Sequence, residues 1–135
     1  MLVLAINTAT PHNEIALLDG GKVLFEKTWL SKKDEGEKLL PMIKKAFEKN
    51  KKQINELRKI FVVAGPGSFT GLRIGVSIAN ALAFSLKIPV FSCNNFEYLK
   101  KGKFFGKGVK QVHPVYLKKP YITKSKKPVF IAHSS

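Results

Sequence analysis

Gly65-Pro66-Gly67-Ser68-Phe69-Thr70-Gly71-Leu72-Arg73 follows directly on the apolar run Ile60-Phe61-Val62-Val63-Ala64. An uncharged apolar run bounded by turn residues reads as a buried strand. Three glycines and a proline then turn the chain, and Ser68 or Thr70 opens a long helix over 70–87. Glycines let a backbone turn sharply and lie bare, and a helix N-terminus presents free N–H groups that suit anions. Gly65, Gly67 and Ser68 are therefore candidates to cradle a phosphate. The loop lacks the Gly-Lys-Ser/Thr ending of a P-loop and the spacing of a dinucleotide fingerprint. A tight strand-to-helix connection without a ligand explains the same residues. The glycines alone leave both readings open.

Upstream of this unit, Leu2 to Ile6 is another continuous apolar run, the pattern of a central strand, and not that of a signal peptide. Asn7 to Asn13 is a turn, Glu14 to Leu18 a second strand, and Asp19-Gly20-Gly21 a hairpin signal. Lys22 to Trp29 alternates as a half-buried third strand, which completes an antiparallel meander. Asp34 and Glu37 resemble a capping box, and Leu39, Leu40, Ile43 and Phe47 form a stripe at helical spacing. Pro41 lies early in that helix and is expected to bend it. A basic linker holding Ile54 and Leu57 precedes the buried strand, Ile88 to Phe91 is a short strand, and Asn95 to Lys100 a brief helix. The expected fold is α/β: a mixed sheet with three antiparallel strands and packed helices. That order is the half-unit of the actin-like, sugar-kinase-like (ribonuclease H-like) ATPase fold.

The chain has 135 residues and a net charge of +15, unevenly spread. Residues 1–97 hold 14 basic and 9 acidic residues, whereas 98–135 hold 10 lysines and no acid. A lobe over 1–100 and a basic segment over 101–135 are expected. The asymmetry favours contact with nucleic acid through the basic segment, with Lys118, Lys119 and Lys124 as candidates. Val115, Tyr116 and Leu117 are expected to dock on the lobe, and 121–135 to be mobile. Cys93 is the single cysteine, so no internal disulfide and no cysteine metal cluster can form, which fits a reducing cytoplasm. No run is long enough to span a bilayer.

The helix over 70–87 carries no charge between Arg73 and Lys87. Ile74, Ile78 and Leu82 line one side and are expected to pack on the sheet. Gly75, Ala79 and Ala83 line another, and small residues admit a close neighbour. Together with Leu39, Met42, Ile43, Leu72 and Val76 they are expected to form a seam with the first helix and an apolar surface for a partner.

The strings Leu4-Ala5-Ile6-Asn7-Thr8-Ala9-Thr10, Glu37-Lys38-Leu39-Leu40-Pro41-Met42-Ile43, Gly65 to Val76, Ala81-Leu82-Ala83-Phe84 and Ile88-Pro89-Val90 resemble the TsaB (YeaZ) family in order and spacing from residue 1 to about 100. Pro114-Val115-Tyr116-Leu117-Lys118 resembles a segment near that family's C-terminus. The resemblance implies a non-catalytic subunit in the synthesis of threonylcarbamoyladenosine on tRNA. It also implies the paralogue TsaD as a helix-mediated partner and TsaE in the same assembly. Whether two copies pair when the chain is alone is left open by the sequence. Two departures bear on chemistry. Asn7 stands where the family usually carries an Asp, whose counterpart in related ATPases serves metal and phosphate. With Thr8 it joins the candidates for a nucleotide site. The family's second lobe also has only a basic counterpart here, so a cleft between two lobes is not expected within this chain.

His12, His113 and His133 are isolated, so no histidine metal pair exists, and Ser68 reads as a cap and not a nucleophile. No catalytic residue, metal or cofactor is expected. Two rival readings stand: a degenerate actin-fold kinase fragment, which would hold nucleotide, and a stand-alone basic RNA-binding module, which would bind tRNA without a partner.

Overall fold

The computed structural model describes residues 1–32, 34–67, 69–93 and 96. Five strands form one sheet in the order β3-β2-β1-β4-β5, with β1 at Leu2–Asn7, β2 at His12–Asp19, β3 at Lys22–Leu30, β4 at Leu57–Val63 and β5 at Val90–Cys93. β1 pairs antiparallel with β2 and parallel with β4. β2–β3 is antiparallel and β4–β5 parallel. Two helices follow the expected order, α1 at Glu35–Lys49 and α2 at Phe69–Leu86. The mixed α/β sheet is the one anticipated from the sequence. The expected helix over 95–100, the docking segment 115–117 and Lys118, Lys119 and Lys124 lie outside the described residues, Phe96 excepted.

β1 is the centre of the core because every one of its residues is apolar except Asn7, and all six are buried. A strand covered on both faces reads as a continuous apolar run, not an alternation. Phe61 of β4 stacks on Phe91 of β5 with ring centroids 4.6 Å apart. Leu57, placed in a linker by sequence, begins β4 and is buried. A three-residue 3-10 turn at Ile54–Glu56 precedes it, where Gln53 and Glu56 form a reciprocal capping box.

The box expected at Asp34 and Glu37 does not form. Asp34 makes no side-chain cap to α1. Its Oδ1 instead accepts the Lys32 backbone N–H at 3.1 Å, and this bond is the main cause that lowers its carboxyl pKa. Pro41 lies within α1 on its exposed side. α1 packs on β2 and α2, and α2 on β4, β1 and β5.

α2 is turned opposite to expectation. Leu72, Gly75, Val76, Ala79 and Ala83 face inward and are buried, while Ile74, Ile78 and Leu82 are only half-buried. The reason is steric. β1 and β4 already supply large side chains (Leu4, Ile6, Ile60, Phe61). The helix therefore approaches with Gly75, Ala79 and Ala83 beside Leu72 and Val76, and interior volume stays filled.

Candidate functional site

The first turn and the glycine loop meet at the C-terminal ends of β1 and β4. In open α/β sheets this is the end where ligands usually bind. Asn7 closes β1 opposite Glu14 of β2. Its Oδ1 accepts the Ala9 backbone N–H at 3.0 Å, an Asx turn that reverses the chain. Its Nδ2 donates to Glu14 Oε1 at 2.9 Å. Asn13 Nδ2 donates to the Thr10 carbonyl at 2.9 Å and secures the same turn. Thr8, fully buried, donates its hydroxyl proton to the Gly71 carbonyl of α2 at 2.6 Å. This bond joins residues 63 apart in sequence.

The glycines serve this contact. A methyl group on Gly67 would overlap the carbonyl oxygen of Ala9, and one on Gly75 would overlap the hydroxyl of Thr8. The first turn thus occupies the space beside the loop. Of the phosphate candidates, Asn7, Thr8, Gly65 and Gly67 come together, and Ser68 lies outside the described residues. Both amide atoms of Asn7 and the Thr8 hydroxyl proton are hydrogen-bonded within the chain, and the Ala9 backbone packs closely on Gly67. Glu14, half-buried, is the acceptor that fixes Asn7. The period-two pattern of β2 places it on the Asn7 register only once the turn length is known.

Asn7→Asp follows as a test of this arrangement. It replaces the donor to Glu14 by a second carboxylate, and paired carboxylates raise each other's pKa. The folded variant then binds more protons than its unfolded chain. Its deficit, on the order of 1–3 kcal/mol, is full above the raised pKa and disappears as pH falls below the ordinary carboxylate range. Urea unfolding at pH 7 and pH 4 measures it, and Glu14→Gln in the same background restores a donor and should recover the loss. A deficit independent of pH would refute the pairing.

The expected partner seam sits inside the chain. Leu39, Ile43, Leu72, Gly75, Val76, Ala79 and Ala83 are buried in its own core, and Met42 packs partly against it. The outward face of α2 takes their place. Thr70, Arg73, Ile74, Ser77 and Ile78 line an open groove of about 310 Å³, and beyond it Phe84 is 84% exposed. Leu40 of α1 is 48% exposed. Among the described residues, no three His, Cys, Asp or Glu side chains come close enough to hold a metal ion, and no helix is long and apolar enough to cross a membrane.

Comparison with known proteins agrees with this fold. A family model described as TsaD, tRNA N6-adenosine threonylcarbamoyltransferase, matches residues 30–117. The tRNA threonylcarbamoyladenosine biosynthesis protein TsaB of Buchnera aphidicola subsp. Schizaphis graminum is 38% identical over 73% of this chain and 46% of its own length. TsaB of Bacillus subtilis is 37% identical over 73% of this chain and 43% of its own length. TsaB of Escherichia coli is 31% identical over 83% and 48%. The solved structure of YeaZ from Pseudomonas aeruginosa superposes with a TM-score of 0.67 at 27% identity, covering 75% of this chain and 50% of that one. The chain spans about half the length of the curated relatives it matches. By its matched strings, its sheet order and these relatives, the chain belongs to the TsaB (YeaZ) family.

Proposed function

We propose that this chain acts in the synthesis of threonylcarbamoyladenosine on tRNA as a non-catalytic scaffold that binds and supports TsaD, with TsaE in the same assembly. The observation that carries the reading is the outward face of α2. Ile74, Ile78 and Leu82 are half-exposed and Phe84 almost fully so. A helix with this much apolar surface on its wet side suits a partner helix. The close packing between the first turn and the glycine loop supports a structural role for that loop.

In this reading the interface is Met42, Ile74, Ile78, Leu82 and Phe84, and the same face pairs two copies of the chain when TsaD is absent. Residues 1–100 form the scaffolding lobe, and 101–135, with Lys118, Lys119 and Lys124, contact tRNA. The assembly works in the cytoplasm. Expression of the chain in cells depleted of their own TsaB, together with the TsaD from its own source, tests the role. Recovery of threonylcarbamoyladenosine in tRNA is the expected result, and failure to recover it with both proteins folded and present would overturn the role. Purified chain given ATP, Mg²⁺ and tRNA should show background turnover only.

A further inference from the structure

We infer that the end of the sheet at which both helices finish is a second phosphate-contacting surface, shaped to lie on the backbone of a structured RNA. The choice of RNA rests on the proposed tRNA role, but the surface itself is read from charge and placement.

β1, β4 and β5 run parallel, so α1 and α2 both return to the end away from the glycine loop. Four segments meet there. Leu2 at the start of β1 pairs with Asp19 and with Leu57, and Asp19 with Lys22. Lys52 Nζ reaches Asp19 at 3.8 Å, which brings the end of α1 to the hairpin. The acids in this region are largely occupied. Asp19 also receives the Met1 amino group at 3.0 Å. Glu56 Oε2 accepts the Gln53 backbone N–H at 2.8 Å. Glu48, on the last turn of α1, is exposed and makes no ion pair among the described residues.

The cations are in excess. Lys22, Lys49, Lys51, Arg58 and Lys87 are exposed and have no acidic partner among the described residues. Arg58 donates to the neutral carbonyls of Asn55 and Leu57. Two of the five occupy an unusual conformation. Lys51, just past α1, has φ 53°, and Lys87, just past α2, has φ 58°. Glycine or asparagine usually fills such left-handed positions after a helix. Here lysine holds both, at the same end of the fold.

Lysine is depleted at the centres of protein interfaces, whereas lysine and arginine are the usual contacts to nucleic-acid phosphates. Met1, Ile54 and, on the last turn of α2, Phe84 are the large apolar side chains exposed in this region, fewer than its cations. The occupant is therefore a phosphate backbone and not an acidic protein.

The test uses the full chain and an unmodified tRNA transcript, with binding followed by fluorescence anisotropy across a salt series. Lys51→Asn/Lys87→Asn removes two charges and places at each site a residue that accepts φ > 0. Lys27→Gln/Lys32→Gln removes two charges away from this end. Each phosphate left without its lysine should flatten the slope of log affinity against log salt by about 0.7–0.9, so the first pair should flatten it by about 1.4–1.8 and the second should leave it unchanged. Lys22→Gln/Lys49→Gln should repeat the first result. Equal slopes for all variants, or equal flattening by the control, would overturn the surface, and so would a response to an acidic protein in place of RNA. If the slopes change as expected while recovery in TsaB-depleted cells fails, the surface stands and the tRNA-modification role falls.

Discussion

Ala79→Arg is expected to leave the chain unfolded. Ala79 is fully buried on the side of α2 that faces the sheet. An arginine there overfills a close-packed seam and buries a charge with no partner. An uncompensated buried charge costs about 3–5 kcal/mol, and overpacking adds about 1–3 kcal/mol. The sum is comparable to the whole stability of a small domain, about 5–15 kcal/mol. Circular dichroism should show loss of the cooperative melt. A variant that melts within a few degrees of wild type would mean that α2 presents its small face outward after all.

Gly75→Ala should also destabilise strongly, though less, for one added methyl group. The methyl overlaps the Thr8 hydroxyl. The hydroxyl must then leave the Gly71 carbonyl, where it is held at 2.6 Å. Loss of a buried hydrogen bond with an unsatisfied carbonyl costs about 1–3 kcal/mol, and displacement of α2 from β1 adds to it, for a total of about 3 kcal/mol or more. The clash identifies its own remedy. Thr8→Ala alone should cost about 1–2 kcal/mol, but in the Gly75→Ala background it removes the obstructing oxygen. The double variant should therefore be more stable than the sum of the single effects allows, with a coupling of at least about 1 kcal/mol. Urea unfolding of the four proteins measures the cycle. Strict additivity would show that turn and helix do not touch at these atoms.

The sheet was legible because its signals are local and strong. Continuous apolar runs at Leu2–Ile6 and Ile60–Val63, the Gly20-Gly21 hairpin and the strand–loop–helix unit at 60–87 each correspond to an observed element. The orientation of α2 was not legible. A helix apolar on all sides shows no preferred face by periodicity, and the deciding fact is how much volume β1 and β4 already fill. The role of the glycines was hidden for a similar reason. Gly67 and Gly75 answer to Ala9 and Thr8, more than fifty positions away in the chain, and no local pattern encodes that distance. The same holds for Asn7. As a single residue it reads as a missing charge at a nucleotide site, but in the fold it is the hinge of an Asx turn, with Glu14 as its partner. The Asp34 cap failed at short range, since a carboxylate before a helix has two backbone choices and here takes the N–H of Lys32.

Ile78 and Ala79 are adjacent in α2, about 100° apart around its axis, one partly open to solvent and one fully buried. The same substitution at each should therefore have opposite consequences. Ile78→Arg places its charge in water while the chain is alone, so the monomer should keep its circular dichroism spectrum and its melting temperature to within a few degrees. In a helix–helix contact with TsaD the charge becomes buried, which should weaken binding about a hundredfold or more, near 3 kcal/mol. Isothermal titration calorimetry of purified TsaD into the wild-type chain and into Ile78→Arg decides the matter. Measurable binding by wild type, with a folded Ile78→Arg chain at least a hundredfold weaker, is the predicted result. A folded Ile78→Arg chain that binds TsaD as tightly as wild type would contradict the assignment of the outward face of α2 as the docking surface.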